Sequence, residues 1–122
     1  MIKKDALEGL IAAPFTPMDE AGRINPGMIG KYARHLIASG VTGAFVCGTT
    51  GECLSLTTEE RKLVLENWVR SSDGELKVIA HVGGNCLSQS AELAAHAEKA
   101  GAFAIGAFAP SFFKPATAQE LV

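Results

Sequence analysis

The segment Gly48-Thr49-Thr50-Gly51-Glu52 sets two adjacent hydroxyls between glycines. In that spacing both side chains and the neighbouring amides can turn toward one small anion. A carboxylate suits such a loop, because it accepts several hydrogen bonds within a compact volume. A phosphate site would ordinarily carry Lys or Arg, and Glu52, the loop's only charge, would repel it. The segment therefore reads as a hydrogen-bonding carboxylate site with Gly48, Thr49, Thr50 and Gly51 as its binding residues. Taken alone, the same five residues also fit a plain glycine-rich turn with exposed threonines.

Other side chains offer less. Lys3, Lys4, Lys31, Lys62 and Lys99 fall in the amino-terminal tail or on helical stretches, and Lys77 begins a strand, at the end opposite the loops. Only Lys114 lies at the loop end, where a solvated state is expected despite Phe112 and Phe113 beside it. Tyr32, the single tyrosine, falls on a packed helical stripe. His81 reads as a satisfied interior histidine rather than a general acid. His35 and His96 sit on helices and carry no signal. Glu52 is expected to accept loop amides or to cap the segment that follows.

Four nearly continuous apolar runs position these residues, at 10–13, 41–46, 77–82 and 103–108. They read as parallel strands covered on both faces. Three helical patterns alternate with them. The first begins near Pro26, carries Ile29, Tyr32, Leu36 and Ile37 on one stripe and stops at Gly40. The second opens on Thr57-Thr58-Glu59-Glu60, a capping box, and buries Val64, Leu65, Trp68 and Val69 before the polar Ser71-Ser72-Asp73-Gly74. The third is expected to be capped by Ser88, to face Leu93, Ala94, Ala97 and Ala100 inward and to close at Gly101. Thr117 can open a further helix.

Each β/α unit takes roughly 26 to 36 residues, close to one-eighth of a ~250-residue barrel. The fold class expected is α/β, the first half of a TIM (β/α)8 barrel, with residues 1–122 as the amino-terminal half of one domain that stops before a fifth strand. A doubly wound open sheet shares the alternation, but no G-x-G-x-x-G follows the first run and no G-x₄-G-K-[ST] occurs. In either architecture ligands collect at the carboxyl ends of the strands. The segments there are Pro14-Phe15-Thr16-Pro17-Met18, the 48–52 loop, Gly83-Gly84-Asn85, and Pro110-Ser111-Phe112-Phe113-Lys114-Pro115.

Composition narrows the classes of partner. A net charge of −2 with dispersed charges offers no basic face to nucleic acid. No apolar run approaches the ~20 residues of a membrane span, and the start, Met1-Ile2-Lys3-Lys4-Asp5, leads into no signal-peptide stretch, so a cytoplasmic protein is expected. Cys47, Cys53 and Cys86 lack zinc-site spacing and read as reduced thiols filling small apolar spaces.

Several ordered segments together resemble the pyruvate-dependent class I aldolases, the family that includes N-acetylneuraminate lyase and dihydrodipicolinate synthase. They are Ala12-Ala13-Pro14-Phe15-Thr16-Pro17, the 48–52 loop followed by Leu54-Ser55-Leu56 and Glu59-Glu60-Arg61, Val78-Ile79-Ala80-His81-Val82-Gly83, and 109–115. The resemblance covers almost the whole chain. Ala80-His81-Val82-Gly83 is similar to the lyase branch. So is Phe112, which stands where the synthases usually place a proton-relaying tyrosine that reaches across a subunit interface; a phenylalanine cannot pass a proton.

By this resemblance Thr49 and Thr50 would bind a pyruvate carboxylate, with the loop amides completing the cradle. The implied reaction is retro-aldol cleavage of N-acetylneuraminate to N-acetylmannosamine and pyruvate through a lysine Schiff base, whose protonated imine is the electron sink. No metal or organic cofactor is implied. The partners implied are small keto acids (pyruvate, sialic acid), and the assembly a homotetramer. Dihydrodipicolinate synthase and a 2-keto-3-deoxy sugar-acid aldolase are the alternatives within the family, and a non-catalytic truncated remnant the alternative outside it. The family's Schiff-base lysine lies on the sixth strand and its assisting tyrosine at the end of the fifth. No catalytic residue is therefore assigned among the 122, and the chain alone is expected to be inactive and stabilised by association.

Overall fold

The computed structural model describes residues 7–121; Met1 to Asp5, with Lys3 and Lys4, lie outside the described residues. The four apolar runs form β1 (Ile11–Ala12), β2 (Gly43–Val46), β3 (Lys77–His81) and β4 (Ala104–Gly106), and the helices between them are α1 (Pro26–Ala38), α2 (Thr58–Ser72) and α3 (Leu87–Ala100). The strands are shorter than their apolar runs. All neighbours pair in parallel, in the order β1-β2-β3-β4. This is the first half of a (β/α)8 barrel.

Side chains alternate across the sheet, as strand geometry requires. Ala44 and Val46 of β2, with Val78 and Ala80 of β3, join the core that the helices cover. Against them pack Ile29 of α1, Val64 and Trp68 of α2, and Leu93 and Ala97 of α3. Each large apolar side chain buried there contributes about 1.5–3 kcal/mol. Phe45 and His81 turn to the other face, their ring centroids 5.8 Å apart. Tyr32 is half-buried between Phe15 and Trp68, with centroids at 4.8 and 5.4 Å, which makes it a packing residue.

The helix ends follow local chemistry. Thr57 Oγ1 accepts from the Glu60 amide while the Glu60 carboxylate accepts from the Thr57 amide, completing the capping box. Asn25 caps α1 ahead of Pro26, and Gly40 and Gly101 take the left-handed positions after α1 and α3. The cap expected of Ser88 is a correction. Cys86 is the N-cap of α3 and Ser88 lies inside the helix, its Oγ 3.2 Å from the Cys86 Sγ. Cys47 and Cys53 are buried as expected, whereas Cys86 is exposed and fills no apolar space. Thr117 opens only a short 3-10 turn, Ala118–Leu121.

β1 and β4 each pair on one side. Ile105 of β4 faces the helical layer beside Ala94, Ala97 and Ala104 and is 53% exposed. Among the described residues no helix is long and apolar enough to cross a membrane.

Candidate functional site

The strand that leads into the glycine-rich loop ends on a sharp turn. Cys47 has φ +54° and Glu52 φ +60°, so a left-handed residue stands on each side of the four residues between them. Glu52 N–H donates to the Thr49 carbonyl at 3.0 Å and Cys53 N–H to the Gly48 carbonyl at 3.2 Å, and the chain passes into a 3-10 turn, Cys53–Ser55. Inside this curl Gly48 and Gly51 are buried, while Thr49 and Thr50 are exposed. Among the described residues the amides of Thr49, Thr50 and Gly51 donate to no carbonyl. Two hydroxyls and three free N–H groups thus share one short segment at the carboxyl end of β2.

Both glycines are dictated by crowding. A Cβ on Gly51 would stand 3.0 Å from the Cys47 Cα, and one on Gly48 would meet the Phe45 ring at 2.8 Å. The contact at position 48 is shorter than real Cβ atoms show and that at 51 is tighter than most, so a side chain at either forces a neighbour to shift. Glu52 corrects its expected role. It is exposed, and its side chain makes no cap hydrogen bond; the left-handed backbone at 52 makes the turn.

Three further residues complete the frame. Thr16, buried in the loop after β1, donates from Oγ1 to the Gly51 carbonyl at 2.8 Å. Asn85, after β3, accepts from the Ser111 amide at 2.9 Å and so ties the third loop to the fourth. Arg61 of α2 is 8% exposed and donates from Nη2 to the His81 carbonyl at 2.7 Å. In the sequence Thr16, Asn85 and Arg61 stand within motifs that assign them no role. For Arg61 a signal was available: with Val64, Leu65 and Trp68 it shares the i, i+3, i+4, i+7 stripe that faces the core.

His81 is 3% exposed and satisfied, in line with the reading of an interior histidine. Both ring nitrogens face donors, with Phe108 N–H 3.3 Å from Nε2 and Arg61 Nη2 3.2 Å from Nδ1, and the neutral ring accepts at whichever nitrogen lacks the proton. Arg61 Nη2 has two hydrogens, and its shorter contact is the one it donates to the His81 carbonyl. Burial, then the Arg61 charge, holds the imidazole below its usual pKa against a backbone hydrogen bond to Cys47, so it stays neutral. Burial pushes the Cys47 thiol up to about 12, with the nearby Arg61 charge pulling the other way.

The lysines are placed as the sequence indicated. Lys77 begins β3 at the far end, with Nζ 5.0 Å from the Phe103 ring centroid, and Lys62 pairs with Glu59 and Glu92 on the outer layer. Lys114 lies in the exposed fourth loop. There Phe112, 88% exposed and at φ +69°, stacks edge-on with Phe113 at 4.9 Å. The 48–52 loop, Thr16, the Gly83-Gly84-Asn85 turn and the 110–115 loop all gather at the carboxyl ends of the strands.

Comparison with known proteins bears on the family and the fold. Residues 6–121 match the Dihydrodipicolinate synthetase family. N-acetylneuraminate lyase of Gallus gallus is 48% identical over 124 aligned residues, which take in 100% of this chain and 40% of that protein. The structure of Proteus mirabilis N-acetylneuraminate lyase superposes with TM-score 0.91 at 48% identity, covering 94% of this chain and 39% of that one. A prophage protein of the dihydrodipicolinic acid synthase family from E. coli, solved in complex with pyruvate, superposes with TM-score 0.90 at 28% identity, covering 95% and 39%. The chain thus spans about 40% of the length of the curated relatives it matches.

Proposed function

The chain belongs to the dihydrodipicolinate synthetase family, and from that membership we propose that it supplies the keto-acid-binding loop of an N-acetylneuraminate lyase-type aldolase. The observation that carries the reading is that the Thr49 and Thr50 hydroxyls and the free amides of Thr49, Thr50 and Gly51 share one turn, which Thr16 ties to the loop after β1. Donors fixed before the ligand arrives lose little freedom on binding. A pyruvate carboxylate seated there would present its keto carbon to the interior of the strand ends. The pyruvate bound in the related prophage protein supports the same ligand class.

The division of labour follows from the placement. Residues 48–51 hold and orient the carboxylate, and Gly51 lets the backbone curl closely around it. The family resemblance implies an imine-forming lysine on the sixth strand and an assisting tyrosine at the end of the fifth; Lys114, a solvated loop residue, and Lys77, at the wrong end, offer no substitute. The protonated imine would accept the electron pair of the breaking C–C bond. Phe112 at the synthase tyrosine position favours the lyase branch over the synthase.

Titration of the 122-residue chain with pyruvate tests the cradle: shifts confined to the 48–51 amides are expected, and their absence would reject it. Borohydride reduction separates holding from reacting. The chain alone should yield no trapped adduct, and a polypeptide extended through the sixth strand should yield one. Cleavage of sialic acid, against condensation with aspartate semialdehyde and cleavage of a 2-keto-3-deoxy sugar acid, then distinguishes the branches. The homotetramer belongs to the same proposal and is checked by light scattering.

A further inference from the structure

The guanidinium of Arg61 is buried without an acid to answer it. The residue is 8% exposed, and among the described residues no carboxylate pairs with it and its Nε makes no hydrogen bond. Arginine stays charged in proteins, and an ion taken out of water is costly unless an opposite charge compensates it. His81 sets its carbonyl oxygen at 2.7 Å and its neutral Nδ1 at 3.2 Å from Nη2, and neither carries a negative charge.

The position of that charge is informative. Arg61 lies one turn into α2, and its side chain shares a small cavity of about 10 Å³ with Cys47, the residue before Gly48, and with His81 and Val82, which lead into Gly83. Its Nη1 is 4.0 Å from where a Cβ on Gly84 would stand. The charge acts on both Cys47 and His81. It therefore lies beneath the second and third loops, screened from water by the core. The 48–52 loop itself offers a carboxylate hydrogen bonds, and its one ionised side chain, Glu52, carries the wrong sign.

We infer that Arg61 is a positioning residue whose buried charge makes the 48–52 loop prefer an anionic ligand over a neutral one of the same shape. The inference rests on the carboxylate-cradle reading and adds the source of its charge selectivity. Arg61 acts through the loop, without touching the ligand. In general, one unit charge about 10 Å from an anion favours it by on the order of tenfold at an effective dielectric of about 20.

The test compares pyruvate with its neutral isostere pyruvamide by calorimetric titration of the 122-residue chain. The wild type should favour pyruvate. Arg61→Gln, which keeps an amide donor for the His81 carbonyl, should lose about tenfold for pyruvate and change little for pyruvamide. Arg61→Lys should keep the wild-type ratio. Equal weakening of both ligands, or no change in either, would show that Arg61 only packs and would overturn the assignment. Should Arg61→Gln fail to fold, Arg61→Lys carries the test, since it keeps the charge and loses the fork; a collapsed ratio there overturns the assignment. A wild type that binds neither ligand overturns the cradle reading, and the Arg61 assignment with it.

Discussion

The buried hydroxyl of Thr16 donates to the carbonyl of Gly51 at 2.8 Å, joining the loop after β1 to the loop after β2. Gly51 is itself buried, so without this bond its carbonyl would be left unsatisfied at a cost of about 1–3 kcal/mol. Thr16→Val keeps the shape and removes the donor. It should lower the unfolding free energy by about 1–2 kcal/mol in urea titration and weaken pyruvate binding, while Thr16→Ser should keep most of both. Equal stability of Thr16→Val and wild type would show that the loop holds its curl unaided.

How much of this was legible in the residues depends on the range of the interaction. Periodicity and capping are local, so Thr57 and Glu60, Pro26 and Gly40 marked their helices, and the apolar runs marked β1 to β4 in order. The loop at 48–52 was legible because its hydroxyls and glycines are contiguous. Thr16 and Gly51 are 35 residues apart, and Asn85 and Ser111 are 26 apart. No local pattern marks such a pair before the strands are set side by side. Ser88 misled for the opposite reason. It is a good capping residue, but the chain turns into α3 two residues earlier, at Cys86.

The two loop glycines should differ in tolerance. A methyl at position 51 meets the Cys47 backbone at 3.0–3.1 Å, and one at 48 meets the edge of the Phe45 ring at 2.8–2.9 Å. A ring can swing aside, whereas a backbone held in a left-handed turn cannot. Gly51→Ala is therefore expected to cost more than Gly48→Ala, with overpacking of about 1–3 kcal/mol and the larger loss of pyruvate affinity. Denaturation midpoints and calorimetric titration of the two variants give the ranking, and the reverse order would refute this account of the curl.

Stability should depend on pH through His81. Burial and then Arg61 lower its pKa from 6.5 in the folded chain. Above 6.5 neither state protonates the ring, so the contribution of His81 is constant there. As pH falls through 6.5 toward the lower folded value, the unfolded chain binds the proton first and stability declines. Urea midpoints should therefore fall between about pH 6.5 and 5, before the carboxylates titrate. His81→Gln should flatten that segment, and a His81→Gln profile parallel to wild type would assign the slope elsewhere.

The three cysteines should react in two classes. Cys47 and Cys53 are buried, and the Cys47 thiol is pushed up to about 12 by desolvation, so it presents almost no thiolate at neutral pH. Cys86 is exposed at the start of α3, where the Ser88 hydroxyl and then the Gln89 and Ser88 amides lower its pKa. A thiol reagent such as dithionitrobenzoate should modify Cys86 quickly in the folded chain and reach the other two only on unfolding. Cys86→Ala should abolish the fast phase while leaving pyruvate binding intact, because Cys86 contacts neither Thr49 nor Thr50. The slow phase then measures opening of the β2–α2 layer, since Cys47 Sγ faces the Arg61 carbonyl at 3.9 Å in that layer. Pyruvate bound at the adjoining loop should slow it in proportion to its occupancy. A slow phase insensitive to saturating pyruvate would mean that Cys47 is exposed by an opening that leaves the loop intact.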